Sequence, residues 1–315
     1  MNIIFDGNYL FHVGFAVFTQ YHRGKDMREV LSDKDNKQVL MRKLVIDMCS
    51  CINRFKKIDQ VTFVIDSMSW RYGMYPDYKY ALTRVRGEDY DLFLECLNMF
   101  EKLLRSRKLI VSRIEGAEGD DLIYAWKEYF GVVLNEPTVI ITGDSDIRQL
   151  ITEKVSVFCN NSKILRYYVL DDVGAMECFK DTEGITVEKV DPVRLVIKKI
   201  ILGDKSDNIL NLKRGFGEKA FDKFYDSFNW DNIEISCFAN FCNNIYRRFV
   251  AFTQDNDRDY LKRIKFNAKL VWLSFEALQY SGILEELFEE VNARKNTYGY
   301  KKKFTLEDFY GMLIK

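Results

Sequence analysis

The sequence predicts an α/β domain on a mainly parallel sheet, followed by a helical region. Two observations carry this. Short apolar, β-rich runs alternate with stretches whose apolar residues recur every three or four positions. After about Val190 the strand runs fade and helical spacing remains. A length of 315 residues suits about two domains, and Asp191-Pro192 is the expected boundary. Only three prolines interrupt the chain, which excludes Pro-rich linkers and favours helices.

The strands expected in order are Asn2–Phe5, Val61–Ile65, Leu109–Ser112 and Thr138–Thr142. Between the first two, Leu40, Leu44, Met48, Ile52 and Phe55 mark a helix; Phe93, Leu97, Phe100 and Leu104 mark the next. Leu122, Ala125, Trp126 and Tyr129 mark a third, and aromatics from Phe221 to Phe252 mark the helical region. Neither an internal repeat nor a low-complexity segment is evident.

Composition narrows the chemistry. The 47 basic and 47 acidic residues cancel, which is not the mark of a general nucleic-acid binder, although a polyanion senses the local field rather than the sum. Seven cysteines, none in a Cys-x-x-Cys pair, read as reduced thiols in a cytoplasm. No apolar run approaches the roughly 18 residues needed to span a bilayer, and Met1–Asp6 does not open a signal peptide. With only His12 and His22, a histidine zinc site or a Ser-His-Asp triad has almost no material. The chemistry is expected to run on carboxylates.

Acids follow three of the strands: Asp6, Asp66, and Asp144 with Asp146. In open α/β sheets the carboxyl ends of strands form the ligand crevice. A fourth group, Glu118-Gly119-Asp120-Asp121, opens the helix beginning near Leu122, and a fifth, Gly203–Asn208, carries Asp204 and Asp207. Each alone reads as an N-cap or a first-turn acid. Five together are harder to explain, because like charges about 5 Å apart at an effective dielectric near 20 repel by roughly 3 kcal/mol per pair. Oxygen ligands select hard ions, Mg²⁺ or Mn²⁺, and two such ions serve phosphodiester hydrolysis.

Basic residues supply the complement. Arg71, Lys79, Arg84 and Arg86 follow the second strand's acid. Arg194–Lys223 holds eight basic residues against four acids, including Lys205, Lys213, Arg214, Lys219 and the Gly215-Phe216-Gly217 hairpin, whose exposed amides suit a phosphate.

The order Asp6, Asp66, Glu118-x-Asp120-Asp121, Asp144-x-Asp146, Gly203-Asp204-x-Ser206-Asp207-Asn208, Gly215-Phe216-Gly217 resembles the metal motifs and helix–hairpin element of the 5′-nuclease (flap endonuclease) family, in particular its phage ribonuclease H branch. The resemblance covers roughly residues 1–225. It implies a PIN-like, Rossmann-like nuclease core at 1–192 with a helical arch at about 67–108. A helical DNA-binding region at 193–315 would follow, its hairpin at about 203–224. Asp6, Asp66, Glu118 and Asp120 would hold a first metal, with Asp121 acting through water. Asp144, Asp146 and Asp207 would hold a second, with Asp204 in support. Lys79 would contact the scissile phosphate and Tyr78 would stack on the terminal base, and either Arg84 or Arg86 would be the arch arginine. Arg71, Lys205, Lys213, Arg214, Gly215, Gly217 and Lys219 would contact DNA. Implied cofactors are two Mg²⁺ ions, with Mn²⁺ able to substitute, and a K⁺ at the hairpin. Here Ile209–Arg214 lacks the family's usual prolines.

The implied activity is 5′→3′ exonuclease and flap endonuclease action on DNA and RNA–DNA duplexes, removing primers or flaps in replication. A monomer in the cytoplasm (the host's, if phage-encoded) is implied, with a sliding clamp or single-strand-binding protein as partner. Leu306, Phe309 and Tyr310 resemble the anchors of a clamp-binding peptide, although the same spacing suits a final amphipathic helix. Three rivals remain. A haloacid-dehalogenase-like phosphatase needs an acid where Asn8 stands. A PIN-like ribonuclease would lack the Gly203–Asn208 motif and the hairpin. A non-catalytic nucleic-acid clamp would not need the carboxylates.

Overall fold

The computed structural model describes residues 1–79, 90–161, 164–170, 178–231, 233 and 235–297. In chain order the elements are β1 (Asn2–Asp6), α1 (Gly7–Tyr21), α2 (Met27–Ser32), α3 (Lys34–Ile52), β2 (Gln60–Val64), α4 (Arg71–Met74), α5 (Tyr90–Ser106), β3 (Ile110–Ser112), α6 (Gly119–Lys127) and β4 (Thr138–Ile141). There follow β5 (Val155–Asn161), β6 (Ile164–Val169), β7 (Ile185–Lys189), α7 (Pro192–Leu202), α8 (Glu218–Asp226), α9 (Phe238–Thr253), α10 (Asp259–Val271), α11 (Phe275–Leu278) and α12 (Leu284–Thr297). The chain divides into two compact units: Met1–Met68, Val85–Val190 and Glu286–Lys315 form one, and Ser69–Arg84 with Asp191–Glu285 the other.

The first unit is built on a seven-stranded sheet of order β3-β2-β1-β4-β5-β6-β7. All neighbours are parallel except β5 and β6. The four expected strands are present, each within a residue or two of its expected limits. Their near-continuous apolar runs follow from a parallel sheet buried on both faces. Stacking of Phe5 on Phe63, with ring centroids 5.2 Å apart, fixes β1 beside β2. On one side α1, α3 and α5 bury Phe11, Leu44 and Phe93; the Phe11 and Phe93 rings meet edge-on at 4.8 Å.

Three strands were not expected from the sequence: β5, β6 and β7. Strand β5 carries Ser156, Asn160 and Asn161, and β7 is half exposed throughout, so neither offers an uninterrupted apolar run.

Strand order reverses at β1: β2 lies on one side of it and β4 on the other. Such a switch point opens a crevice at the carboxyl ends of the strands. Register then decides which side chains meet there. Asp6 pairs with Val64, and Phe5 with Ile141, so the residues just beyond these strand ends are brought side by side.

The second unit is helical around its own core of Ile197, Ile201, Phe221, Phe224, Phe249 and Ile264. Asp191 caps α7 by accepting from the Arg194 N–H at 2.9 Å, and Pro192 occupies the first turn. Gly203 ends α7 with φ +68°, and a Cβ there would lie 2.2 Å from the Ile209 carbonyl oxygen. Only glycine fits this turn, which closes through paired backbone bonds between Asp204 and Ile209.

Candidate metal centre and nucleic-acid contacts

Asp6 ends β1 and caps α1. Its Oδ1 accepts from the Tyr9 N–H at 2.9 Å and its Oδ2 from the Thr142 hydroxyl at 2.7 Å. The N-cap role and a site role are thus held by the same carboxylate. Burial, the charge of Asp66 and that of Asp144 push the Asp6 carboxyl up to about 7, against the pull of the Tyr9 and Thr142 hydrogen bonds. One side chain therefore senses the acids from the ends of β2 and β4, and the sheet brings the three together within the first unit.

Asp66 is held as firmly. Its Oδ1 accepts from the Gly119 N–H at 2.6 Å and its Oδ2 from Asn8 Nδ2 at 2.9 Å. Asn8 Oδ1 accepts in return from the Asp66 N–H at 2.9 Å. A Cβ at position 119 would lie 2.6 Å from Asp66 Oδ1, so the start of α6 approaches the acid only because it is glycine. That start lies three residues earlier than the expected Leu122. Glu118 caps the helix, and Asp120 and Asp121 fill its first turn, where acids suit the dipole. Asp121 is fully buried, and its Oδ2 accepts from the Glu118 N–H at 3.1 Å.

After β4, the Asp144 N–H donates to Thr142 Oγ1 at 3.0 Å, and Asp144 Oδ1 accepts from the Asp146 N–H at 2.8 Å. Asp144 is exposed and Asp146 half-buried. Sequence reasoning missed Asn8 and Thr142, the two neutral residues that orient the acids. The signal for them was register: each stands beside an acid of the next strand.

In the second unit, burial raises the Asp204 carboxyl, but the Lys199 ammonium and the Ser206 hydroxyl and amide outweigh it and hold the carboxyl below its usual range. Asp207 accepts from the Tyr78 hydroxyl at 3.3 Å, and its carbonyl accepts from the Lys79 N–H at 2.9 Å. Tyr78 is only 3% exposed and packs edge-on to Tyr72. Its ring is core, not an open platform for a base. Lys79 follows in the left-handed region, φ +54°, with its ammonium 5.2 Å from the Tyr78 ring centroid. Arg84 and Arg86 lie outside the described residues.

One DNA contact is corrected. Arg71 is 2% exposed, its Nε donates to the Leu270 carbonyl at 2.9 Å, and its guanidinium lies over Trp70. Burial makes it a clasp of the helical unit, not a phosphate ligand.

The hairpin between α7 and α8 exposes Lys205, Arg214, Gly215 and Gly217, with Gly217 capping α8 and Lys219 exposed in the first turn of that helix. Its basicity is lower than the count of residues suggests. Arg194 pairs with Asp222 and Asp226, Lys198 with Glu218, Lys199 with Asp204, and Lys213 with Asp255. Two asparagines, also missed, shape the loop. Asn211 Nδ2 donates to the Phe216 carbonyl at 2.7 Å, and Asn267 Nδ2 bridges the carbonyls of Ile200 and Leu210 at 2.9 and 3.0 Å.

Known proteins bear on this arrangement. Residues 1–177 match the model of the 5′-3′ exonuclease N-terminal resolvase-like domain. A 5′-3′ exonuclease of Bacillus subtilis is 36% identical over 106 residues, which are 33% of this chain and 31% of that protein. One from Mycoplasma pneumoniae is 26% identical over 244 residues, 76% of this chain and 75% of that one. The bacteriophage T5 flap endonuclease, crystallised as a pseudo-enzyme–product complex with DNA and metal ions, superposes with a TM-score of 0.51, covering 100% of this chain and 99% of that one. At 18% identity that likeness is one of fold. The matched domain fills more than half the chain and contains Asp6, Asp66, Glu118, Asp120, Asp121, Asp144 and Asp146, so the protein belongs to the 5′-3′ exonuclease family.

Proposed function

We propose that the protein is a divalent-metal-dependent 5′→3′ exonuclease and flap endonuclease acting on DNA and RNA–DNA duplexes, and that it removes primers or flaps during replication. The observation that carries this is the convergence of Asp6, Asp66 and Asp144 at the switch point of the sheet, where Thr142 ties Asp6 to Asp144 and Asn8 and Gly119 hold Asp66; burial and the crowding push the Asp6 carboxyl up. Acids gathered this closely are balanced by a cation, and a donor set of carboxylate oxygens fits a hard one. Mg²⁺ suits it, with Mn²⁺ as substitute.

Asp6, Asp66, Glu118 and Asp120 would hold one ion, with Asp121 acting through water; Asp144 and Asp146 would hold another. Asp204 and Asp207 are further candidate ligands in the helical unit. When bound, the ions supply an activated water and charge stabilisation at the leaving oxygen. Lys79, its backbone fixed by Asp207, would face the phosphate and balance its developing charge. Lys205, Arg214 and Lys219, with the hairpin amides at Gly215 and Gly217, would hold the duplex backbone, and a K⁺ ion would sit at the hairpin. A cytoplasmic monomer that works with a sliding clamp or single-strand-binding protein completes the proposal. The clamp-peptide residues Leu306, Phe309 and Tyr310 lie outside the described residues. No helix among the described residues is long and apolar enough to cross a membrane.

The test is digestion of end-labelled duplex, flap and RNA–DNA hybrid with Mg²⁺, comparing 5′-blocked and 3′-blocked ends. Attack from the 5′ end, abolished in Asp144→Ala with duplex binding retained, is the expected result. Preferential attack from the 3′ end, or near-normal cleavage by Asp144→Ala, overturns the reading.

A further inference from the structure

We propose that helix α10 presents a second nucleic-acid-binding face, separate from the hairpin, that takes the phosphate backbone of a duplex. The inference rests on the reading of the protein as a nuclease of duplex nucleic acid.

Arg258, which caps α10, and Lys262, Lys265 and Lys269 within it stand at spacings of four, three and four. At 3.6 residues per turn these positions fall within a sector of about 60°. The opposite side of the helix is core: Tyr260, Ile264 and Ala268 are at most 4% exposed. The hairpin is held from this same buried side, where Arg263 Nη1 donates to the Leu212 carbonyl at 2.9 Å and Asn267 binds Leu210. The basic line therefore points away from the hairpin while sharing its rigid support.

Two features set this line apart from an ordinary solvated face. First, among the described residues none of the four pairs with a carboxylate, whereas the basic residues of α7 and Lys213 do. Asp257, the acid just before Arg258, is engaged by Arg263 at 3.4 Å. Second, Arg258 with Lys262 and Lys265 with Lys269 are like charges four residues apart, each pair unfavourable by roughly 0.2–0.5 kcal/mol in a helix. With acids and bases equal in number, mixed signs would be the ordinary outcome. A polyanion relieves the repulsion. The line spans about 16 Å of helix axis, long enough to face successive phosphates of one strand. The Lys265 and Lys269 stems are half-buried, and the Lys269 ammonium lies 4.1 Å from the Tyr280 centroid, so less side-chain freedom is lost on binding.

The experiment is fluorescence anisotropy of a labelled blunt DNA duplex, in EDTA so that nothing is cut, across a salt series. The protein is the full chain carrying Lys262→Gln with Lys265→Gln, and separately the two Glu replacements. Melting temperatures are recorded for both. The neutralised pair is expected to weaken binding about tenfold or more and to flatten the log–log salt slope by about 1.8, at 0.9 per lost phosphate contact. The Glu pair should weaken it further, and Arg214→Gln should add its own loss independently. A normally folded Gln variant with the wild-type affinity and slope would show a solvated face and overturn the inference. Wild-type protein that binds no duplex at all would instead remove the nuclease reading and this inference with it.

Discussion

Thr142 Oγ1 donates to Asp6 Oδ2 at 2.7 Å and accepts from the Asp144 N–H at 3.0 Å, so one fully buried hydroxyl ties together the acids at the ends of β1 and β4. Thr142→Val keeps the shape and removes the bridge. A carboxylate oxygen and an amide then lose their partner, at about 1–3 kcal/mol for each buried group. Residues that orient metal ligands typically carry 10–100-fold in affinity. We expect Thr142→Val to weaken Mn²⁺ binding by about tenfold or more in calorimetric titration, with the Thr142→Ser variant close to wild type. Equal Mn²⁺ affinity in the valine and serine variants would mean that the hydroxyl does not orient the site.

Asn8 performs the corresponding task between β1 and β2, giving its amide to Asp66 Oδ2 and its carbonyl to the Asp66 N–H. Asn8→Asp keeps the size but sets a second negative charge against Asp66. The apo protein should melt lower than wild type, and added Mg²⁺ should recover more of that loss than it does in Asn8→Ala, which has no charge to neutralise. Differential scanning calorimetry with and without Mg²⁺ makes the comparison. The same Mg²⁺ response in both variants would show that Asn8 holds the backbone alone.

The contrast between these two residues and the acids they hold shows what a sequence can disclose. Asp6, Asp66 and Asp144 stand directly after apolar strand runs, and that position is visible in one dimension. Asn8 and Thr142 have no such mark. Their work depends on the parallel register, which sets Phe5 against Ile141 and Asp6 against Val64. Arg71 failed for a related reason: an arginine in the basic run after a strand-end acid reads as a nucleic-acid contact, and only packing shows that its guanidinium is enclosed. The basic hairpin read too strongly because its partners, such as Asp255 for Lys213, lie tens of residues away. The α10 line lies beyond the resemblance, which covers roughly residues 1–225, and its spacing becomes a line only on a helix whose bounds are known.

The Asp6 carboxyl gives the metal-free protein a pH dependence. Its folded value of about 7 lies above the ordinary 3.8, so the folded state keeps a proton that the unfolded chain releases. That stabilisation is complete below about pH 4 and is lost as pH rises through 7. A divalent cation replaces the proton, so its benefit should grow over the same window. The rise in melting temperature on adding Mg²⁺ in place of EDTA is expected to be several degrees larger at pH 8 than at pH 5, and Asp6→Asn should remove most of the difference. An Mg²⁺ shift independent of pH in the wild type would show that Asp6 does not exchange a proton for the metal.

Asn267 is the corresponding buried polar anchor of the helical unit. It is 4% exposed on α10, and its amide nitrogen reaches the carbonyls of Ile200, near the end of α7, and Leu210, in the hairpin loop. Asn267→Leu keeps the volume and leaves both carbonyls without this donor, at about 1–3 kcal/mol each. The Leu212 amide, which donates to Ile201 at the end of α7, sits beside the loosened segment. Its hydrogen exchange should accelerate about tenfold or more, while the Ile4 amide in the central strand of the sheet keeps its wild-type rate. If the hairpin grips the duplex, affinity should fall too, with the salt slope little changed, because no charge has been removed. Unchanged exchange at Leu212 would mean that α7 and the Asp204–Ile209 bridge hold the loop without Asn267.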